Sequence, residues 1–135
     1  MTSRLNPAVL LLLLCGAIGC NSGPTFYDVT GTVTCDGVPI EVGEIIFVAS
    51  DNGSTPAAGT IQNGTYQVKL PAGKKKVKIA ASRKIPGKGA MGEDYVYQSY
   101  IPPRYNDKTT LEAEVTSVPV NHFDFSLETK PKTGG

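Results

Sequence analysis

The chain has 135 residues, formal net charge +1, 15 glycines, 10 prolines, three cysteines, one histidine and no tryptophan. That length suits one domain with one core. The near-neutral charge gives no steering toward nucleic acid, and the histidine and cysteines show no zinc-ligand spacing.

At the N-terminus, Arg4 precedes an unbroken apolar run over residues 8–14, and Gly16, Ala17 and Gly19 are small. The uncharged stretch is about a dozen residues, short of the ~20 that an apolar helix needs to cross a bilayer. Its length and flanks suit the core of a signal peptide. The run ends Ala17-Ile18-Gly19-Cys20. This resembles the bacterial lipobox, where a small residue precedes a cysteine that becomes lipid-modified and N-terminal after cleavage. Ala17 stands where that motif usually has Leu. The resemblance implies a signal peptide over residues 1–19, lipid attachment at Cys20 and a polar tether over residues 20–25. More than one acyl chain anchors without a transmembrane helix. The chain is therefore expected to be exported and held at a membrane of the bacterial cell envelope. With Cys15 removed and Cys20 acylated, Cys35 has no disulfide partner.

Residues 27–35 alternate, with Tyr27, Val29, Val33 and Cys35 on one side and threonines and Asp28 on the other, which predicts a half-buried strand. Gly31 falls on the inward side, where it marks a bulge or a close approach. Cys35 is inward just before the turn pair Asp36-Gly37, so it reads as a buried structural thiol. Residues 38–40 make a short extended connector. Residues 44–49 form a second strand whose Ile45-Ile46-Phe47-Val48 is apolar on both faces, as in a central strand. Asn63-Gly64 joins strands over 57–62 and 65–70 in a type I′ hairpin. Residues 74–82 form a further strand with Val77, Ile79 and Ala81 inward, and its run Lys74-Lys75-Lys76 reads as protection of a sheet edge.

Residues 83–107 carry Pro86, Gly87, Gly89, Gly92, Pro102 and Pro103 without either periodicity, and are expected to be a long loop. Alternation returns at 111–116 and at 121–128, where Phe123, Phe125 and Leu127 point inward. The domain thus spans 26–129, and 130–135 is a polar tail. About seven strands and no helix predict an all-β antiparallel sandwich of transthyretin-like or immunoglobulin-like type.

The stretch Val29-Thr30-Gly31-Thr32-Val33, followed by Asp36-Gly37 and later Asn63-Gly64-Thr65-Tyr66, resembles transthyretin-like, carboxypeptidase-regulatory-like domains. The segment Ile101-Pro102-Pro103-Arg104-Tyr105-Asn106 and the closing Asn-His-Phe-Asp-Phe-Ser-Leu over 121–127 are similar to a set of small uncharacterised bacterial lipoproteins. The resemblance implies a fold and an envelope location, and no activity.

The chemistry points away from catalysis. His122, the one histidine, alternates outward beside Asp124, and no inward Ser or Cys completes a nucleophilic set. No catalytic residue, metal ligand or cofactor site is therefore expected. Four of the six tyrosines, Tyr95, Tyr97, Tyr100 and Tyr105, lie in the long loop. They are the candidate surface for a ligand or partner, since tyrosines offer apolar area with a polar tip. Two functions stay open: a non-catalytic interaction or structural module in the envelope, or a carbohydrate-binding module stacking sugars on the loop tyrosines. The expected partners are the membrane through Cys20 and an envelope protein or glycan, with no nucleic acid.

Overall fold

Two Asx-Gly turns set the frame. Asp36 and Gly37 have φ of 51° and 80°, and Asn63 and Gly64 have 50° and 76°. Positive φ at both central residues is the type I′ geometry, whose twist matches that of paired strands. The first turn joins β1 (Phe26–Cys35) to β2 (Val38–Pro39), and the second joins β4 (Ala57–Gln62) to β5 (Thr65–Pro71). These elements come from a computed structural model, which describes residues 19, 23–51 and 55–130.

β4 and β5 pair at one position, Gln62 with Thr65, and then diverge. β5 runs antiparallel along β1, while β4 runs antiparallel along β3 (Val42–Ala49). β3 in turn pairs with β6 (Gly73–Pro86). One continuous sheet therefore folds over at this hairpin and packs its two halves around a shared core. Phe47 from one half and Tyr66 from the other meet at a ring distance of 6.0 Å. The far edge of β6 takes β8 (Glu112–Val115) at its start and β7 (Tyr95–Ser99) at its end.

The predicted alternation holds. Val29, Val33 and Cys35 of β1, Tyr66, Val68 and Leu70 of β5, and Val77, Ile79 and Ala81 of β6 are buried. Gly31 is a close approach: its missing side chain leaves room for the Phe123 carbonyl. All-β architecture of sandwich type is thus the fold of the described residues.

Four expectations need correction. The described residues form ten strands, not about seven, because β2 and β7 add to the count and the closing strand is broken into β9 (Val120–His122) and β10 (Phe125–Leu127). Both closing strands run parallel to β1, so the sheet is mixed. Residues 83–107 are not a structureless loop: β6 continues to Pro86 and β7 pairs with it from Ser82–Ser99 to Pro86–Tyr95. The Lys74–Lys76 run is not at an edge, since β6 lies between β3 and β8. There Lys74 stands opposite Glu114, and Lys76 opposite Glu112. Opposite charges across a ladder favour that register, and local composition alone gives no strand order.

Candidate functional site

The ribbon β6–β7 leaves the body of the sheet past Ala81 and places its side chains on two solvated faces. Its tip is closed by Gly87 N–H to the Asp94 carbonyl at 3.3 Å, by Gly89 N–H to the Glu93 carbonyl at 2.8 Å and by a Lys88–Asp94 ion pair. Gly92 turns with φ of +93°. Between the root of this ribbon and the β1–β2 turn lies a cleft of about 1130 Å³. Tyr97 and Tyr100 line one wall, Val38 and Val42 the other, and Arg83 and Glu41 bring opposite charges to it.

The four predicted tyrosines separate into three roles. Tyr95 and Tyr97 stand on one face of β7 with rings 5.8 Å apart at 87°, edge to face. The Lys84 ammonium lies 4.2 Å from the Tyr95 ring and 5.8 Å from that of Tyr97. Tyr97 is 66% exposed. Tyr100 packs against the core, and the Arg83 guanidinium lies 5.4 Å from its ring. Burial pushes the Tyr100 hydroxyl above its usual range, with a further rise from Cys35 and a counteracting pull from Arg83. Tyr105 is turned away to structural work: its hydroxyl accepts the Glu128 N–H at 3.1 Å. Arg104 lies over the Tyr105 ring and donates to the Glu128 carbonyl. Only Tyr97 and Tyr100 line the cleft, so the expected four-tyrosine surface is not one surface.

Cys35 and Asp36 also line the cleft, together with Thr129. Cys35 is 7% exposed, and burial followed by the Asp36 charge raises its thiol pKa, so the thiolate that would react is disfavoured. Asp36 instead accepts the Thr129 hydroxyl at 2.6 Å and the Thr129 N–H at 3.0 Å, which lowers its pKa. These bonds fasten residues 127–129 to β1, together with the Asp36 N–H to the Leu127 carbonyl at 2.8 Å.

His122 is outward as predicted, with Nε2 3.0 Å from Asp124 Oδ1 and Nδ1 3.4 Å from Thr30 Oγ1. A Thr–His–Asp row of this kind has the order of a proton relay. Its side chains are 62% exposed at His122 and 54% at Asp124, and the Thr30 contact is too long for a strong bond. Asp124 also accepts the Thr32 N–H at 2.8 Å and hydroxyl at 2.9 Å, which hold its pKa low. The row therefore clips the closing segment to β1. It does not line the cleft.

Cys20, the predicted lipid site, lies outside the described residues. Among the described residues no group of three or more His, Cys, Asp or Glu could hold a metal ion, and no helix is long and apolar enough to cross a membrane. Sequence reasoning missed Arg83, Lys84, Val38 and Val42. The exposed valines beside a proline and a turn were the one signal that could have marked the opposite wall.

Fold and site together define a small all-β domain with an amphipathic cleft at the end of β1. No family model matches the chain, and no curated protein matches it. Among solved structures, a 9R-lipoxygenase from Cyanothece is similar at a TM-score of 0.40 and 14% identity, over 79% of this chain and 17% of that one. A DUF3823 family protein from Parabacteroides merdae is similar at a TM-score of 0.40 and 13% identity, over 78% of this chain and 46% of that one. The chain thus spans less than half the length of either, and likeness at this score says nothing of what it binds.

Proposed function

We propose that this chain is a non-catalytic lipoprotein of the bacterial cell envelope, anchored through Cys20, whose β-sandwich acts as an interaction module through the cleft at the end of β1. Its family would be the transthyretin-like, carboxypeptidase-regulatory-like domains. Support for that comes from the close approach at Gly31 and the two type I′ turns. The observation that carries the interaction reading is the make-up of the cleft. Exposed Val38, Val42 and Tyr97 sit beside Arg83, Lys84 and Glu41. Aromatic and arginine anchors with a polar surround suit a protein partner.

Sugar binding is the second reading, favoured by the exposure of Tyr97 and weakened by ring geometry. Tyr95 and Tyr97 are perpendicular, so they offer no flat two-ring platform, and Lys84 occupies one face of each. A photo-crosslinking residue at position 97 in living cells tests the choice, with position 69 on the opposite strand half as control. A discrete protein adduct from 97 and none from 69 is expected. No adduct, combined with glycan-array binding that Tyr97→Ala and Tyr100→Ala abolish, would transfer the function to carbohydrate.

A further inference from the structure

The end of the sheet where the tether enters carries an apolar row that the core does not use. Phe26 and Val120 are each 56% exposed and Val118 is 43% exposed. β1 alternates so that Phe26, Asp28, Thr30 and Thr32 point outward. Register places Pro71 beside Phe26 on one flank, and Val120 beside Asp28 on the other. The outward face is therefore banded. Phe26 and Pro71 lie at the tether end, and Val120 lies one row in, level with Asp28. That second row also holds the Lys69–Asp28 ion pair at 3.4 Å, followed by the polar pair Thr30–His122 and then Thr32 with Asp124. Each pleat repeat is about 7 Å along the strand. Apolar exposure on this face is thus confined to its first two rows, about 7 Å along the strand, the second of which also carries the Lys69–Asp28 pair.

We propose that Phe26, with Val118 and Val120, seats on the phospholipid bilayer. The inference rests on the anchor reading for Cys20. Six residue steps separate Cys20 from Phe26, which at full extension reach no more than about 21 Å. Acylation of Cys20 therefore holds this row within reach of the headgroup layer. The acyl chains supply the affinity, at about 0.8 kcal/mol per buried CH₂. The row supplies orientation. β1 is ten residues long, about 30 Å, and the cleft lies at its other end. With Phe26 against lipid, the cleft faces away from the membrane, open to a partner.

The occupant is lipid of any headgroup charge. Lys69 is paired with Asp28, and Lys74 and Lys76 stand opposite Glu114 and Glu112, so this end is not a basic patch. Contact with neutral phosphatidylcholine suffices, and added salt leaves it intact.

The chain has no tryptophan, so Phe26→Trp gives the full protein a single indole. The acylated protein, its Cys20 modification read by mass on the same sample, is reconstituted into phosphatidylcholine vesicles carrying a spin label high on the acyl chain. Phe26→Trp emission should shift to the blue and be strongly quenched, while Tyr97→Trp should stay unquenched, in low and high salt alike. Equal or absent quenching at the two positions in an acylated sample overturns the lipid seat and leaves the anchor standing. A blue shift that follows protein density and ignores the lipid label overturns it in favour of a second copy covering the row. Unmodified Cys20 overturns both the seat and the anchor.

Discussion

Gly31→Ala is the sharpest perturbation of the fold. A Cβ at Gly31 would fall 1.8 Å from the Phe123 carbonyl oxygen, 2.6 Å from its carbon and 3.0 Å from the Tyr66 hydroxyl oxygen. The nearest atoms are backbone, so no side-chain rotation relieves the clash, and the Phe123 carbonyl must withdraw by more than an ångström. That carbonyl accepts the Tyr66 hydroxyl at 2.7 Å, and the Phe123 N–H donates to the Thr30 carbonyl at 2.9 Å. Losing two hydrogen bonds at about 1 kcal/mol each, and stranding a buried hydroxyl at about 1–3 kcal/mol, costs roughly 3–5 kcal/mol. Replacing glycine restricts the unfolded chain and offsets about 0.4–1 kcal/mol of that. The net loss is about 2–4 kcal/mol, a large part of the ~5–15 kcal/mol that holds a natural domain. Urea melts of the wild type and Gly31→Ala measure it, with Tyr66→Phe as the partner variant. Tyr66→Phe should cost about 1–2 kcal/mol, and the double variant less than the sum, because both act on one bond. A neutral or stabilising Gly31→Ala would refute the close approach and with it the docking of the closing segment on β1.

Other outcomes follow from the same structure. Phe47 is 1% exposed at the centre of the core, so Phe47→Ala should cost about 3–5 kcal/mol in the same melts. His122→Ala should cost less than about 1 kcal/mol, as an exposed pair does. Cys35 should resist thiol reagents in native buffer and react once the domain is unfolded, as peptide mapping of the labelled protein would show. Asp36 and Asp124 both titrate lower in the fold than in the open chain, held by Thr129 and by Thr32. As pH falls below about 4, the unfolded chain takes up protons first, so stability drops through that window and returns above it. Asp36→Asn and Asp124→Asn should each flatten the acid limb of a stability–pH profile measured by chemical denaturation, and an unchanged limb would count against these bonds.

The core was legible because it is written in a period of two. Val29, Val33, Val77, Ile79 and Leu127 alternate with polar neighbours, and burying one face is what that pattern does. The Asp36-Gly37 and Asn63-Gly64 turns were legible from backbone chemistry alone. The β6–β7 ribbon was not. Both of its faces meet water, so Arg83, Lys84, Tyr95 and Tyr97 need no apolar alternation, and the proline and glycines of its tip read as loop. The inward direction of Phe123, Phe125 and Leu127 was right, but only Leu127 is fully buried, because the strand breaks at Phe123-Asp124 to form its bonds with Thr30 and Thr32. For the site, two of four tyrosines line the cleft. The cationic side chains beside them come from β6, and pairing across a ribbon is a long-range fact that neither segment states by itself.

Whether Cys20 anchors this domain is decided by the mass of the N-terminal peptide of the protein purified from membranes. A mature chain beginning at Cys20 and carrying more than one acyl chain is the predicted result. A chain that begins elsewhere, or a Cys20 with a free thiol, would contradict it.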